Sequence, residues 1–296
     1  MDYQIKQIDI SKKDDLRKVN FLLRETFGDD IADDKLAKTT KTNGSQDSLY
    51  LAAIKDDEII GFNAFISHDL ILNGSLINCY QSCWIATAEA HRGEKIFQNL
   101  SNTAKEILSE RDAAFIFCFP NENSRPIFIQ KLGFREVPSL KWQVPNIPIV
   151  RDRYVNRLKT GATALTTNVI FQNGRQLIDL KRNIYNGELL LLESGQSYLW
   201  GVRRNRKKLG VNMQYFEIGG MFIDDPTDLG HLFDGLRKKI EKVSYFQLTT
   251  SVGSPYNQFF NNLKPAQTND LIVFDLKLCT TGDLRFNFFG GVKDVF

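Results

Sequence analysis

Residues 84–97, WIATAEAHRGEKIF, carry an apolar strand-like run into a helix-like one through the pair Arg92-Gly93. A strand-to-helix junction with a small residue leaves backbone N–H groups and the positive end of the helix free to bind phosphate. Downstream, in FCFPNENSRPIFIQKLGF (residues 117–134), Asn121, Asn123 and Ser124 stand between a second apolar run and a short helical stretch ending at Gly133. Asn and Ser are common helix caps, and here they are also the nearest polar groups to whatever the Arg-Gly turn holds. A metal centre is not expected. Cys79, Cys83, Cys118 and Cys279 have no CxxC spacing, and His68, His91 and His231 are far apart in sequence. Cys79 and Cys83 would lie about 13 Å apart on one face of a strand, too far to share a disulfide or a metal, and are expected as buried thiols.

The elements that must position these residues follow from periodicity. Residues 3–10 alternate as a strand, and Ser11 is placed to cap a helix with apolar Leu16, Val19, Leu22, Leu23 and Phe27. A weaker helix is expected within residues 29–47, then strands at 49–54, 59–66 and 76–87, with Asp56-Asp57 and Asn73-Gly74 as turns. Residues 94–111 read as a helix, AAFIFCF as a strand buried on both faces, and residues 124–132 as a helix. The order β, α, α, β, β, β, α, β, α, β implies a mixed sheet. Pro138, Pro145 and Pro148 mark a seam between two domains, 1–148 and 149–296.

Past the seam the order returns: strands at 189–192, 198–203 and 214–223, a helix at 229–242, a strand at 245–250 and a helix holding Phe259, Phe260 and Leu263. At 296 residues two domains are the natural expectation, and 42% hydrophobic with 25% charged residues is a globular composition. A net charge of +3 gives no domain-wide basic excess, so nucleic acid is a poor partner. With no apolar run of the roughly 18 residues that span a bilayer, and no signal pattern at the start, a cytoplasmic location and no membrane partner are expected.

Together the two segments, and the order of elements, resemble the GNAT superfamily of acyl-CoA-dependent N-acyltransferases. The resemblance covers roughly the first 145 residues, with the remainder a degenerate second copy. It implies an α+β fold: a mixed, mostly antiparallel GNAT-like sheet flanked by helices, duplicated as two GNAT-like domains. In the family pattern Arg/Gln-x-x-Gly-x-Gly/Ala, Arg92 takes the first place, while Lys95 and Phe97 stand where small residues are usual. The resemblance places acyl-CoA, acetyl or longer, against Arg92, Gly93, Glu94, Lys95, Ile96 and Phe97, with Ile85, Ala86, Thr87, Asn123 and Phe128 as further contacts. A backbone N–H near residues 85–87 would hold the carbonyl oxygen.

The family's usual thiolate-protonating tyrosine is replaced by Ile129, which leaves Asn121 and Ser124 as the polar candidates beside the departing sulfur. The usual fourth-strand carboxylate falls near Gln81, in a run with no acid. Without a strong base, an amine of low pKa, such as one on a sugar ring, suits the site better than a lysine with pKa near 10.4. The second copy puts Asp224 and Asp225 where a phosphate turn would stand, so it is expected to shape the acceptor pocket and not to bind a second cofactor. Its run 203–208, RRNRKK, reads as a hairpin loop, and Arg203 and Arg204 would meet a diphosphate. Trp84, Tyr80 and Tyr215 are candidates for stacking on a base or sugar.

A two-domain GNAT-like chain of this length with the FPN-x-x-S segment at residues 119–124 resembles the cytosolic acyltransferases that modify nucleotide-linked amino sugars for surface polysaccharides, and that resemblance implies a dTDP-linked amino-deoxy sugar as acceptor. The alternatives are an acetyltransferase for peptide amines or aminoglycosides, and a binding protein that keeps the fold without the chemistry. The sequence leaves monomer or dimer open.

Overall fold

The computed structural model describes residues 2–28, 34–40, 44–72, 75–146, 169–171, 175–185, 188–208, 210–240, 243–260, 263–277 and 286–290. Its first elements are β1 (Gln4–Gln7), α1 (Lys13–Phe27), α2 (Lys35–Thr39), β2 (Leu49–Lys55), β3 (Glu58–Leu72), β4 (Ser75–Thr87), α3 (Ile96–Glu110), β5 (Phe115–Cys118), α4 (Arg125–Leu132) and β6 (Arg135–Pro145). There follow β7 (Val169–Phe171), α5 (Arg175–Ile184), β8 (Leu190–Ser194), β9 (Ser197–Lys208), β10 (Val211–Phe222), α6 (Asp228–Lys239), β11 (Tyr245–Ser251), β12 (Ala266–Asp275) and β13 (Phe286–Asn287). Two compact units emerge: Met1–Val137 with Asp270–Asp283, and Pro138–Asn269 with Leu284–Phe296. They are not the linear halves 1–148 and 149–296, and that boundary itself, like Cys279 and the Asn73-Gly74 turn, lies outside the described residues.

In the first unit β1, β2, β3 and β4 pair antiparallel in turn, and α3 carries the chain across to β5, parallel to β4. Asp56 and Asp57 make the β2–β3 turn with φ 49° and 67°, the double left-handed conformation that suits a two-residue hairpin. Alternation divides the side chains between two faces. Phe62, Ala64, Ile66 and Cys83 pack with Val19, Leu22 and Leu23 of α1. Phe65, Tyr80 and Ile116 pack with Leu100, Ala104 and Leu108 of α3 and Phe128 of α4. Ser11 does not cap α1; its N–H and hydroxyl both donate to Asp9 Oδ1, at 3.0 and 2.7 Å. The sheet of this unit is completed from late in the chain, where residues 272–275 of β12 pair antiparallel with residues 115–118 of β5.

The second unit repeats the order. β8, β9 and β10 form an antiparallel meander, and α6 crosses to β11, parallel to β10. Leu229, Leu232, Phe233 and Leu236 follow helical spacing and bury one face of α6 against Phe216, Ile218, Phe246 and Leu248. Here the flanking antiparallel strand is supplied early, by β6 against β11.

Residues 138–145 form strand where the prolines suggested a break, and the boundary between the two units falls at the start of this stretch, between Val137 and Pro138: the Pro138 carbonyl accepts from Val252 N–H, and Pro145 ends the ladder, so neither missing N–H is needed. The basic run 203–208 lies in β9, not in a loop. The helix expected at 229–242 is α6, and the one expected around Phe259 is a six-residue 3-10 helix, Pro255–Phe260. Neither α5 nor β12 was anticipated from the sequence.

Candidate active site

The fourth strand is irregular where chemistry was expected. β4 pairs with β5 only through residues 80–82, opposite 116–118; β5 then ends while β4 runs on to Thr87. Over the same stretch the β3–β4 ladder slips between Phe62↔Ala86 and Ala64↔Cys83, leaving Trp84 and Ile85 opposite Asn63. Trp84 takes φ 54°, a left-handed conformation unfavourable to a bulky residue. A bulge beside parted parallel strands leaves part of the β4 edge without a strand partner, and its N–H groups available to a carbonyl oxygen. Trp84 is held there: its Nε1–H donates to Thr39 Oγ1 of α2 at 2.9 Å, and its ring meets Phe27 edge-on at 6.3 Å.

Beyond β4 a short 3-10 turn, Glu89–His91, leads to Arg92, Gly93 (φ 90°) and Lys95 (φ 61°, ψ 18°), and α3 begins at Ile96. No side chain caps α3 and its first turn has no acid, so its leading N–H groups keep their capacity for an anion. A Cβ built on Gly93 would meet nothing within 4 Å, so the turn is open as well as left-handed. Arg92, Glu94 and Lys95 are exposed. Arg92 is held only loosely by Glu89, at 3.8 Å, and Glu94 Oε1 contacts His91 Nδ1 at 3.0 Å. An open, uncapped helix start with the exposed side chains of Arg92 and Lys95 beside it, next to parted strands, fits a diphosphate ester.

The other predicted residues divide. Ile85 and Thr87 are half-buried at the bulge and Ala86 is buried in the α1-side core, so their backbones alone are placed to serve. Ile96 and Phe97 point into the core, where Phe97 meets fully buried Phe128 at 5.0 Å; these rings are packing, not cofactor contacts. Tyr80 is likewise fully buried, its hydroxyl donating to the Asp47 carbonyl at 3.3 Å, which corrects its reading as a substrate platform. Asn121 Oδ1 accepts from the N–H groups of Asn123 and Ser124, at 3.1 and 2.9 Å, and from Ser124 Oγ at 3.0 Å. It thereby organises the start of α4, while the Asn123 side chain stays exposed.

Gln81, one residue before the strands part, is 2% exposed and its Nε2 has no hydrogen-bond partner. Asn63, which the sequence reading passed over, is fully buried opposite the bulge; its Oδ1 accepts from Ser82 Oγ at 3.1 Å and its Nδ2 is unpartnered. The signal for Asn63 was an amide inside the apolar run GFNAF. Among the described residues no Asp or Glu is buried. Cys79 is fully buried, which pushes its thiol well above the ordinary range and makes it inert.

Residues 7–137 match the family described as Acetyltransferase (GNAT) domain. The first unit contains a GNAT acetyltransferase domain. Such domains transfer an acyl group from CoA to an amine, and the open α3 start and bulged fourth strand lie inside the matched segment. Solved structures extend the likeness of fold to nearly the whole chain. A GCN5-related N-acetyltransferase from Anabaena variabilis has a TM-score of 0.66 at 12% identity, over 95% of this chain and 75% of that one. A probable N-acyltransferase of unknown function from Enterococcus faecalis gives 0.65 at 12%, over 95% and 74%. Eis1 from Mycobacterium abscessus gives 0.62 at 10%, over 93% and 73%. No curated protein matches the chain. Among the described residues no helix is long and apolar enough to cross a membrane, and no group of three or more metal-ligating side chains occurs.

In the second unit Arg204 and Tyr215 are cross-strand partners, and Arg204 Nε lies 3.4 Å from Glu217 Oε2. Arg203 falls on the opposite face and donates to the Lys239 carbonyl at 3.2 Å, closing the end of α6. The two arginines therefore do not act together. Asp228, not a phosphate turn, organises the start of α6: it accepts from the hydroxyls of Ser194 and Ser197 at 2.7 Å each, which holds its carboxyl below the usual range.

Proposed function

We propose that the protein acylates the amino group of a nucleotide-linked amino-deoxy sugar, dTDP-linked in the first instance, using acyl-CoA as donor, in the synthesis of surface polysaccharide. The observation that carries the choice of acceptor is Gln81. At the parting of β4 and β5, where a carboxylate would draw a proton from an ammonium group, this chain buries a neutral carboxamide with an unpartnered Nε2. The amine must then arrive uncharged, which near neutral pH excludes most lysine side chains, with pKa about 10.4, and favours an amine acidified by neighbouring oxygens.

Acyl-CoA supplies an activated carbonyl. Arg92, Lys95 and the leading N–H groups of α3 hold its diphosphate, and β4 N–H groups past the bulge receive the carbonyl oxygen. The amine nitrogen bonds to the carbonyl carbon, the carbon–sulfur bond breaks, the thiolate departs and the nitrogen's proton passes to water. Gln81 and Asn63 orient oxygen atoms of the acceptor through their spare N–H donors.

The test is calorimetric titration with acetyl-CoA and with a dTDP-sugar, followed by thiol release with amino sugars and with lysine peptides over pH 6–9. Both ligands should bind, and kcat/KM for the amino sugar should rise with pH only until its own amine is deprotonated. Thiol release that favours lysine peptides would overturn the choice of acceptor; CoA binding without thiol release from any amine would leave only a binding protein.

A further inference from the structure

Among the described residues other than glycine, φ is positive at Asp56, Asp57, Trp84, Lys95 and Asp112. Asp56 and Asp57 make a hairpin turn, Lys95 precedes α3 and Asp112 follows it, whereas Trp84 sits inside β4 and is the bulkiest of the set. A large residue keeps φ near 54° only where its surroundings over-determine it. The packing shows what the strain achieves. Side chains of a regular strand alternate between faces, yet Cys83, Trp84 and Ala86 all join the α1-side core, while Ile85 turns to the α3 side. The bulge has put Trp84 on the face that a regular strand would deny it, and the later residues of β4 take their faces from that shift.

Trp84 is fastened there from α2. Its Nε1–H donates to Thr39 Oγ1 at 2.9 Å. That hydroxyl has a single hydrogen, which it gives within α2 to the Lys35 carbonyl at 2.8 Å, so its lone pairs are left for the indole. Thr39 and Leu36 are both buried. The helix is in turn tied to the sheet: Tyr50 of β2 donates its hydroxyl to the Thr40 carbonyl at 2.9 Å, and Thr40 Oγ1 donates to the Leu36 carbonyl at 2.7 Å. From α1, Phe27 meets the indole edge-on. A five-residue helix, too short to persist alone, thus joins β2 to the bulge of β4 across the α1 side of the sheet.

We propose that Trp84 is a positioning residue for acyl transfer, and that its hydrogen bond to Thr39 makes α2 part of the catalytic apparatus. The indole, pinned by Thr39 and Phe27, keeps the bulge from straightening. The bulge in turn keeps the N–H groups of β4 beyond residue 82, where β5 has parted, aimed at the acyl carbonyl oxygen. Donors preorganised in this way do not rearrange during the reaction, and a misplacement of about 1 Å costs on the order of a hundredfold in rate. Trp84 acts through the backbone it holds, not by touching substrate. It rests on the reading that these N–H groups receive the carbonyl oxygen, and adds what holds them in place.

Infrared difference spectroscopy of acetyl-CoA, isotope-labelled at its thioester carbonyl and bound to the full chain, tests this without an acceptor, because hydrogen bonds to the carbonyl lower its stretching frequency. Calorimetry with acetyl-CoA and a thermal melt check that each variant folds and binds. Wild type should lower the carbonyl band relative to free acetyl-CoA. Trp84→Phe, which keeps a ring without the N–H, and Thr39→Val, which keeps the shape without the acceptor, should lose most of that shift while binding acetyl-CoA as tightly as wild type. Thr39→Ser, which restores the acceptor, should retain the shift. If Trp84→Phe and Thr39→Val move the band as far as wild type does, or Thr39→Ser fails as Thr39→Val does, this inference is wrong while the carbonyl reading stands. Loss of acetyl-CoA binding in a variant that melts as wild type does would make Trp84 a binding residue and overturn it as well. If wild type fails to bind acetyl-CoA, or binds it and leaves the band unmoved, the carbonyl reading falls and this inference with it.

Discussion

Lys95 holds a backbone conformation, φ 61° and ψ 18°, that glycine adopts freely and other residues adopt at a cost of roughly 1–2 kcal/mol. Replacing it by glycine releases that strain but widens the unfolded ensemble by about 0.4–1 kcal/mol, leaving a net gain of about 0.5–1 kcal/mol. For a unit of this size the midpoint of thermal unfolding should rise by about 1–4 °C. Lys95→Ala keeps the strained backbone and should show no rise. Both variants remove an exposed ammonium from the phosphate turn and should raise the KM for acetyl-CoA about two- to fivefold, the scale of an exposed charge contact. Differential scanning fluorimetry and initial rates separate the two effects. Equal melting of the glycine and alanine variants would refute the conformational account, and an unchanged KM in both would remove Lys95 from the cofactor.

Arg92→Ala should raise the KM for acyl-CoA about five- to tenfold with little change in kcat, because the interaction is the same before and during reaction; a selective fall in kcat would place Arg92 elsewhere. Gly219→Ala would set a Cβ 2.3 Å from the Trp200 ring, and should destabilise the second unit by roughly 1–3 kcal/mol, read as a lower urea midpoint. Burial pushes the Tyr256 hydroxyl up to about 12 from an ordinary value of 10.0. Its folded pKa is raised, so the stability it contributes is fully present below pH 10 and fades as pH climbs towards 12, a loss of roughly 2–3 kcal/mol that Tyr256→Phe should abolish in alkaline melts.

The legible parts of the fold were those whose residue pattern permits only one environment. AAFIFCF can satisfy only a strand covered on both sides, and the α1 periodicity only a helix with one buried stripe. What the sequence concealed depends on partners distant along the chain. Prolines at 138 and 145 read as breaks because nothing local shows that the strand needs no N–H donor at those two positions. The run RRNRKK read as a loop because its charge is conspicuous, while the β10 partner that makes it a strand becomes evident only through register. Side-chain direction had the same limit at the site. The Arg92-Gly93 turn was found from residue type, but Tyr80 and Phe128 were assigned to ligands although their rings fill the core. Asn63 went unnoticed because a single polar residue in a strand announces itself only once its face is known.

The exchange of flanking strands has a consequence for how the chain is made. β5 receives its antiparallel neighbour from β12, and β11 receives its own from β6. During synthesis the sheet of the first unit therefore waits, with the β5 edge uncovered, until residues 272–275, more than 150 positions downstream, have been made. Closing so long a loop is slow, and an apolar edge left open invites pairing with other chains. Expression as two halves cut near residue 148 should accordingly give two insoluble fragments, each missing a strand that the other carries, and the pair regains solubility only when produced together.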